Sequence, residues 1–310
     1  MRRSLARLPP LVTPLVLPWL PGWVPALAAL LLALTPVLAR AGGDETYDHE
    51  KPPAPAVEQA PGPTTATVVS VYDGDTFTLS TGDRVRVRWV NTPELKPAEA
   101  YGAEAREVTA AFVQGKTVTL TYGSVVRDGY GRLLAAASVD GTYLEEVLLE
   151  KGMGHLFVVP PDDTDFTSLI AAQERARAAR RGIWSDARYQ GVLHITSFHA
   201  NADGDDRQNV NGEYLRVCNV SPVSQDLSGF KIADINGNTW EFPAVVIPAG
   251  YTVKVISGKG TQQADKNAQL EIYLGNSDPI WNNKRDRATI YDRFGRVVDS
   301  RTHEVEKETP

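Results

Sequence analysis

Residues 66–90 read ATVVSVYDGDTFTLSTGDRVRVRWV, and this stretch decides the fold. Val68, Val71, Phe77, Leu79, Val85, Val87 and Trp89 give strand-type alternation, cut into hairpins by Asp73-Gly74 and Thr81-Gly82-Asp83. Lys116 to Tyr122 and Leu133 to Val139 read as two further strands. Tyr101 to Val113 carries Ala105, Val108, Ala111 and Phe112 at helical spacing. Leu144 to Lys151 reads as a short helix ending at Gly152, and Phe166 to Arg181 as a longer one stopped by Gly182. Five strands with three helices in this order predict an α+β domain, a small closed five-stranded barrel of the OB type capped by helices.

The character changes after Trp184. LHITSFHA from Leu193, GEYLRVCNV from Gly212, GFKIAD from Gly229, YTVKVISG from Tyr251, LEIYLG from Leu270 and ATIYDRFG from Ala288 are short alternating runs separated by turns. This predicts an all-β immunoglobulin-like sandwich over 192–300, with a charged tail over 301–310. Trp240 and Trp281 are expected in its core or at an interface.

At the other end, Arg2, Arg3 and Arg7 precede the apolar run Ala26 to Leu34, and Ala39-Arg40-Ala41 gives a small-x-small pattern. Residues 1–41 are therefore expected to be an export signal cleaved after Ala41. A retained N-terminal anchor is the competing reading; Pro14, Pro18, Pro21 and Pro25 oppose a spanning helix. Gly42 to Thr65, rich in Pro, Ala, Gly and acids, is expected to be a disordered linker. Loss of residues 1–41 removes four arginines and no acids, taking the formal charge from -6 to -10. That argues against a protein that holds DNA by counterion release, and leaves room for a local positive cleft. Cys218 is the sole cysteine and sits in a strand-like run, so it reads as a small buried hydrophobe.

The first domain also holds a chemical constellation. A phosphodiester repels nucleophiles, and its transition state gathers charge on the equatorial oxygens. Cleavage calls for a cation, fork-shaped arginines and a base to activate water. Asp75 beside Gly74, the Asn91 side-chain oxygen and the Thr92 carbonyl are hard oxygen donors, which suit calcium better than zinc. Arg86 alternates with Arg84 and Arg88, so the three are expected on one strand face. Arg132 ends Asp128-Gly129-Tyr130-Gly131, and guanidinium forks match phosphoryl geometry as lysine does not. Glu94, held by Pro93 at a strand exit, is the candidate base. His155 is expected in a surface or packing role near the cleft edge. Asp203, Asp205, Asp206 and Glu213 form an acidic loop without EF-hand spacing, read as solvated rather than calcium-binding.

Residues 66–186 resemble the staphylococcal nuclease family. The likeness rests on Asp73-Gly74-Asp75-Thr76, Thr92-Pro93-Glu94, Tyr101-Gly102, Asp128 to Arg132, Gly152 and Gly182-Ile183-Trp184-Ser185. It implies a calcium-dependent endonuclease acting on DNA and/or RNA, with Asp75, Asn91 and Thr92 at the metal. Arg86 and Arg132 would hold the phosphate and Glu94 the water, leaving 3′-phosphates and 5′-hydroxyls. The family's best-known member has aspartate where this chain has Asn91, a longer loop between Glu94 and Tyr101, and stacking tyrosines that Leu156 to Pro161 lacks. The second domain resembles the lamin tail domain in Asn211-Gly212-Glu213-Tyr214-Leu215, Asp226-Leu227-Ser228-Gly229-Phe230, Ile247-Pro248-Ala249-Gly250 and Pro279-Ile280-Trp281-Asn282-Asn283. Lacking a carboxylate–arginine set, it is expected to serve attachment to a cell-surface or polymer ligand, or substrate recruitment. Residues 66–186 are then expected to fold and cut alone. A non-catalytic nucleic-acid- or surface-binding protein is the alternative, against which Arg86, Glu94 and Arg132 all stand.

Overall fold

The computed structural model of the chain describes residues 62–262 and 270–305. The expected export signal, its expected cleavage after Ala41 and the expected linker as far as residue 61 lie outside the described residues. Among those residues, no helix is long and apolar enough to cross a membrane.

In chain order the first domain runs β1 (Thr65–Val71), β2 (Thr76–Leu79), β3 (Arg84–Val87), β4 (Trp89–Asn91) and α1 (Gly102–Val113). It continues with β5 (Thr117–Arg127), β6 (Leu133–Val139), β7 (Thr142–Tyr143), α2 (Leu144–Lys151), β8 (His155–Phe157) and α3 (Thr167–Ala178). Strands β3, β2, β1, β5 and β6 are neighbours in that order. β6 returns to β3 in parallel, Leu133 opposite Val85 and Leu134 opposite Arg86, which closes a five-stranded barrel. Val68, Phe77, Leu79, Val85, Val118, Leu133 and Ala135 fill the barrel, capped by Leu144, Leu148 and Leu149 of α2. Burial of that apolar surface is the main stabilising term.

Trp89 departs from the sequence reading. Its φ of 60° places it in the left-handed region, so the strand that the alternation runs through Trp89 breaks after Val87. Its indole N–H instead donates to Asp162 at 2.7 Å and its ring meets Phe166 edge-on. β4 thereby leaves the barrel and pairs antiparallel with β8, Asn91 opposite His155.

The second domain comprises β9 (Leu193–His199), β10 (Tyr214–Asn219), β11 (Gln225–Asp226), β12 (Lys231–Ala233) and β13 (Thr239–Glu241). It ends with β14 (Val246–Ile247), β15 (Thr252–Ile256), β16 (Leu270–Tyr273), β17 (Arg285–Tyr291) and β18 (Val297–Glu304). One sheet has the order β16-β15-β10-β9 and the other β13-β12-β17-β18, with β11 and β14 as a separate pair. Leu193, Ile195, Leu215, Val217, Ile232, Val253, Ile290 and Trp281 fill the sandwich between them, and Trp240 packs against that core. Arg301 to Glu304, expected as the start of a tail, continue β18, because each pairs with a residue of β17.

The two domains pack directly on each other. Leu156 and Val158 are fully buried, and Val158 N–H donates to Gly250 while its carbonyl accepts from Thr252 N–H at 2.9 Å. A Cβ on Gly250 would lie 2.3 Å from Leu156 Cδ2, so the two backbones close only around a glycine. His155, expected in a surface or packing role, takes the packing one, opposite Asn91. It is 1 % exposed, lies among Tyr189, His194 and Phe157, and is held neutral by burial, its pKa pushed down to about 3. Cys218 is buried at the same junction, its thiol raised by desolvation.

Candidate active site

The Asp-Gly-Asp turn between β1 and β2 is pinned from outside the barrel. Thr109 of α1 donates through Oγ1 to Gly74 O at 2.5 Å, and Ala105 lies against the turn. A Cβ on Gly74 would fall 2.6 Å from Thr92 Oγ1 and 2.7 Å from Ala105 Cβ, which is why a glycine stands there. The pinned turn delivers Asp75 into the interior at 3 % exposure. Asp75 Oδ2 accepts from Thr92 N–H at 2.9 Å and Thr92 Oγ1 at 3.0 Å, and Oδ1 from Thr76 at 3.2 Å.

Arg86 is 6 % exposed and projects from β3 toward this turn. One guanidinium nitrogen donates to Val87 O and Val90 O at 2.6 and 2.8 Å. The other meets Asp75 Oδ2 at 3.2 Å and Asn91 Oδ1 at 3.0 Å. Asp75, Arg86, Asn91 and Thr92 are thus one hydrogen-bonded group. The expected row of three arginines is not: Arg84 lies over the Tyr72 ring, while Arg88 pairs with Asp162 at 2.8 Å. The break at Trp89 separates Arg88 from its alternating partners.

Asp73 was not singled out by the sequence reading, although its carboxylate two residues before Asp75 was a usable signal. It is 3 % exposed and accepts Asp75 N–H at 3.0 Å. Burial raises its pKa well above the usual carboxylate range. The charges of Asp75 and Glu94 push the same way and Arg86 opposes them. Glu94 therefore faces the same negative group. Its N–H donates to Glu99 Oε2 at 3.0 Å, which fixes the chain just after Pro93. Arg132, 4 % exposed, lies just before the β6 residues paired with β3; it is fixed by Asp128 Oδ2 at 2.5 Å and lies over Tyr130.

No three His, Cys, Asp or Glu side chains gather as a metal-binding group among the described residues. The oxygens that do gather are the Asp75 carboxylate and the Asn91 amide, joined through Arg86, with the buried Asp73 carboxyl accepting Asp75 N–H beside them. Oxygen donors of this kind are those that a hard divalent cation takes. The acidic loop of the sandwich holds no such set. Asp206 caps Ala202 N–H and takes Asn283, Asp205 caps Arg207 N–H, and buried Glu213 accepts from Ile280 N–H.

Residues 84–186 match the Staphylococcal nuclease homologue family and residues 187–304 the Lamin Tail Domain. An uncharacterized endonuclease of Escherichia coli O157:H7 is 36% identical over 122 residues, covering 39% of this chain and 76% of that protein. Thermonuclease of Staphylococcus hyicus is 29% identical over 126 residues, 38% of this chain and 75% of the relative. Endonuclease YncB of Bacillus subtilis (strain 168) is 31% identical over 132 residues, 40% of this chain and 63% of the relative. A closed barrel presenting a buried carboxylate–arginine group, followed by a β-sandwich, agrees with both matches: the chain belongs to the staphylococcal nuclease homologue family and carries a lamin tail domain behind its barrel.

Proposed function

We propose that this protein is an exported, calcium-dependent endonuclease that hydrolyses phosphodiester bonds in DNA and/or RNA. The observation that carries the reading is the buried Arg86, whose guanidinium lies against Asp75 and Asn91 on a strand paired with the one that Arg132 precedes. A buried arginine beside a single aspartate and an amide is poised to exchange part of that contact for a phosphate oxygen. Arg132, steered by Asp128, supplies the second fork, and the pair stabilises charge on the equatorial oxygens in the transition state. Glu94, fixed through its own N–H, orients and deprotonates the attacking water. A divalent cation held by Asp75, Asn91 and Thr92, beside Asp73, would neutralise the phosphate and act as a Lewis acid.

The relatives' names support an endonuclease, and the pattern of residues 1–41 supports export. The lamin tail domain serves attachment or substrate recruitment in this reading. Incubating residues 42–310 with DNA and with RNA, each with and without calcium, tests it. Cleavage in calcium is expected, and intact polymers under every condition would overturn the enzyme reading in favour of a binding protein.

A further inference from the structure

The loop carrying Glu94 is held by a residue of the other domain. Glu94 N–H donates to one oxygen of Glu99 at 3.0 Å. The second oxygen of Glu99 meets the Arg301 guanidinium at 3.2 Å, and this ion pair is largely shielded, with 25% and 14% of the two side chains exposed. Arg301 belongs to β18, opposite Ala288 of β17, and its other terminal nitrogen donates to Ile195 O at 3.2 Å. The neighbouring cation Arg188 pairs with Asp186 instead. Arg301 is therefore fixed on the sandwich before it reaches the barrel. Glu99 links that fixed cation to the backbone of Glu94, whose carbonyl also accepts the Glu99 N–H at 2.9 Å.

We propose that Arg301 is a positioning residue for the nuclease site: through Glu99, the lamin tail domain sets the conformation of the Glu94 loop. This rests on the nuclease reading for its kinetic consequence but not for its structural one. It runs against the expectation that residues 66–186 suffice for full activity. Only six residues separate Glu94 from Tyr101, so there is little slack, and a carboxylate held at one end transmits its place to the other. Without Arg301, the Glu99 carboxylate would turn to solvent and release the Glu94 amide, leaving the main-chain bond from Glu99 N–H to Glu94 O to hold the turn, and the base would sample positions away from the attacking water. Misplacement by about an ångström is enough to cost on the order of 10²-fold in rate.

The test uses the mature chain and three variants, Arg301→Ala, Arg301→Lys and Glu99→Gln, with a double variant of Arg301→Ala and Glu99→Gln. Amide exchange across residues 94–101 reads the loop independently of catalysis. Arg301→Ala should accelerate exchange there and leave the barrel strands unchanged, whereas unaltered exchange overturns the proposal even if the protein cuts nothing. On a short oligonucleotide, Arg301→Ala should lower kcat by about 10- to 100-fold at near-constant KM, and Arg301→Lys should restore part of the loss. In the Glu99→Gln background, Arg301→Ala should add little, because the link is already weakened. Additive losses would place Arg301 outside this chain of contacts and overturn the assignment. A wild-type chain that fails to cleave would count against the nuclease reading alone.

Discussion

Asn91 accepts the guanidinium of Arg86 at 3.0 Å, on the same nitrogen that meets Asp75 at 3.2 Å. An amide here leaves Asp75 as the charged member of the set that the arginine touches. Asn91→Asp adds a second charge without changing size. Calcium titration by calorimetry should show tighter binding in the variant, and equal or weaker affinity would remove Asn91 from the metal set.

Chelation should abolish cleavage. Asp75 and Glu94 press their charge on the carboxyl of Asp73, and Arg86 is the cation that opposes them there. Without an added cation the group repels a phosphate. Digestion that continues in excess chelator would exclude the metal role.

Arg86→Lys and Arg132→Lys keep the charge and lose the fork, so each should lower kcat by about 10²-fold or more. They should differ in stability. Arg86 closes onto Val87 O and Val90 O, which lysine cannot satisfy together with Asp75, so Arg86→Lys should also cost about 1–3 kcal/mol in urea unfolding. Unchanged turnover in either variant removes that arginine from the mechanism.

Glu145 gives a pH dependence that belongs to the fold. It is buried under the barrel with Oε1 accepting Ala137 N–H at 3.2 Å, and desolvation raises its pKa to about 8 from 4.5. The folded state keeps the proton between those values while the unfolded chain loses it. Stability from this group is therefore full below about pH 4.5 and declines toward pH 8, by up to about 1.4 kcal/mol per unit. Glu145→Gln should flatten this part of the Tm–pH curve, and an unaltered slope would rule the group out.

At the junction, Gly250 has φ of 77° and no room for a Cβ beside Leu156. Gly250→Ala should destabilise the chain by about 1–3 kcal/mol. Melting within 1 °C of the wild type, a margin that covers measurement error, would show that the two backbones can part.

The barrel was legible because each strand kept one apolar face and each turn carried its own glycine, as at Gly82 between Leu79 and Asp83. Asp75, Arg86, Asn91 and Thr92 were legible as a group because they flank one turn and one strand. Trp89 misled because an apolar residue in phase with Val85 and Val87 carries no sign of a positive φ; its partners Asp162 and Phe166 lie more than seventy residues on. Arg301 was read as tail charge for the same reason. Its meaning depends on Glu99, about two hundred residues earlier, and no local pattern couples them. Long-range polar pairs of this kind have no period along the chain.

The backbone bonds between Val158, Gly250 and Thr252 have a consequence for how a polymer would be handled. A module on a slack tether raises local concentration and lets its cargo approach from any side. A module welded to the barrel through its main chain cannot do this. A strand gripped by the sandwich would enter from one direction and at one offset, so the distance between grip and cut would act as a ruler fixed by the fold.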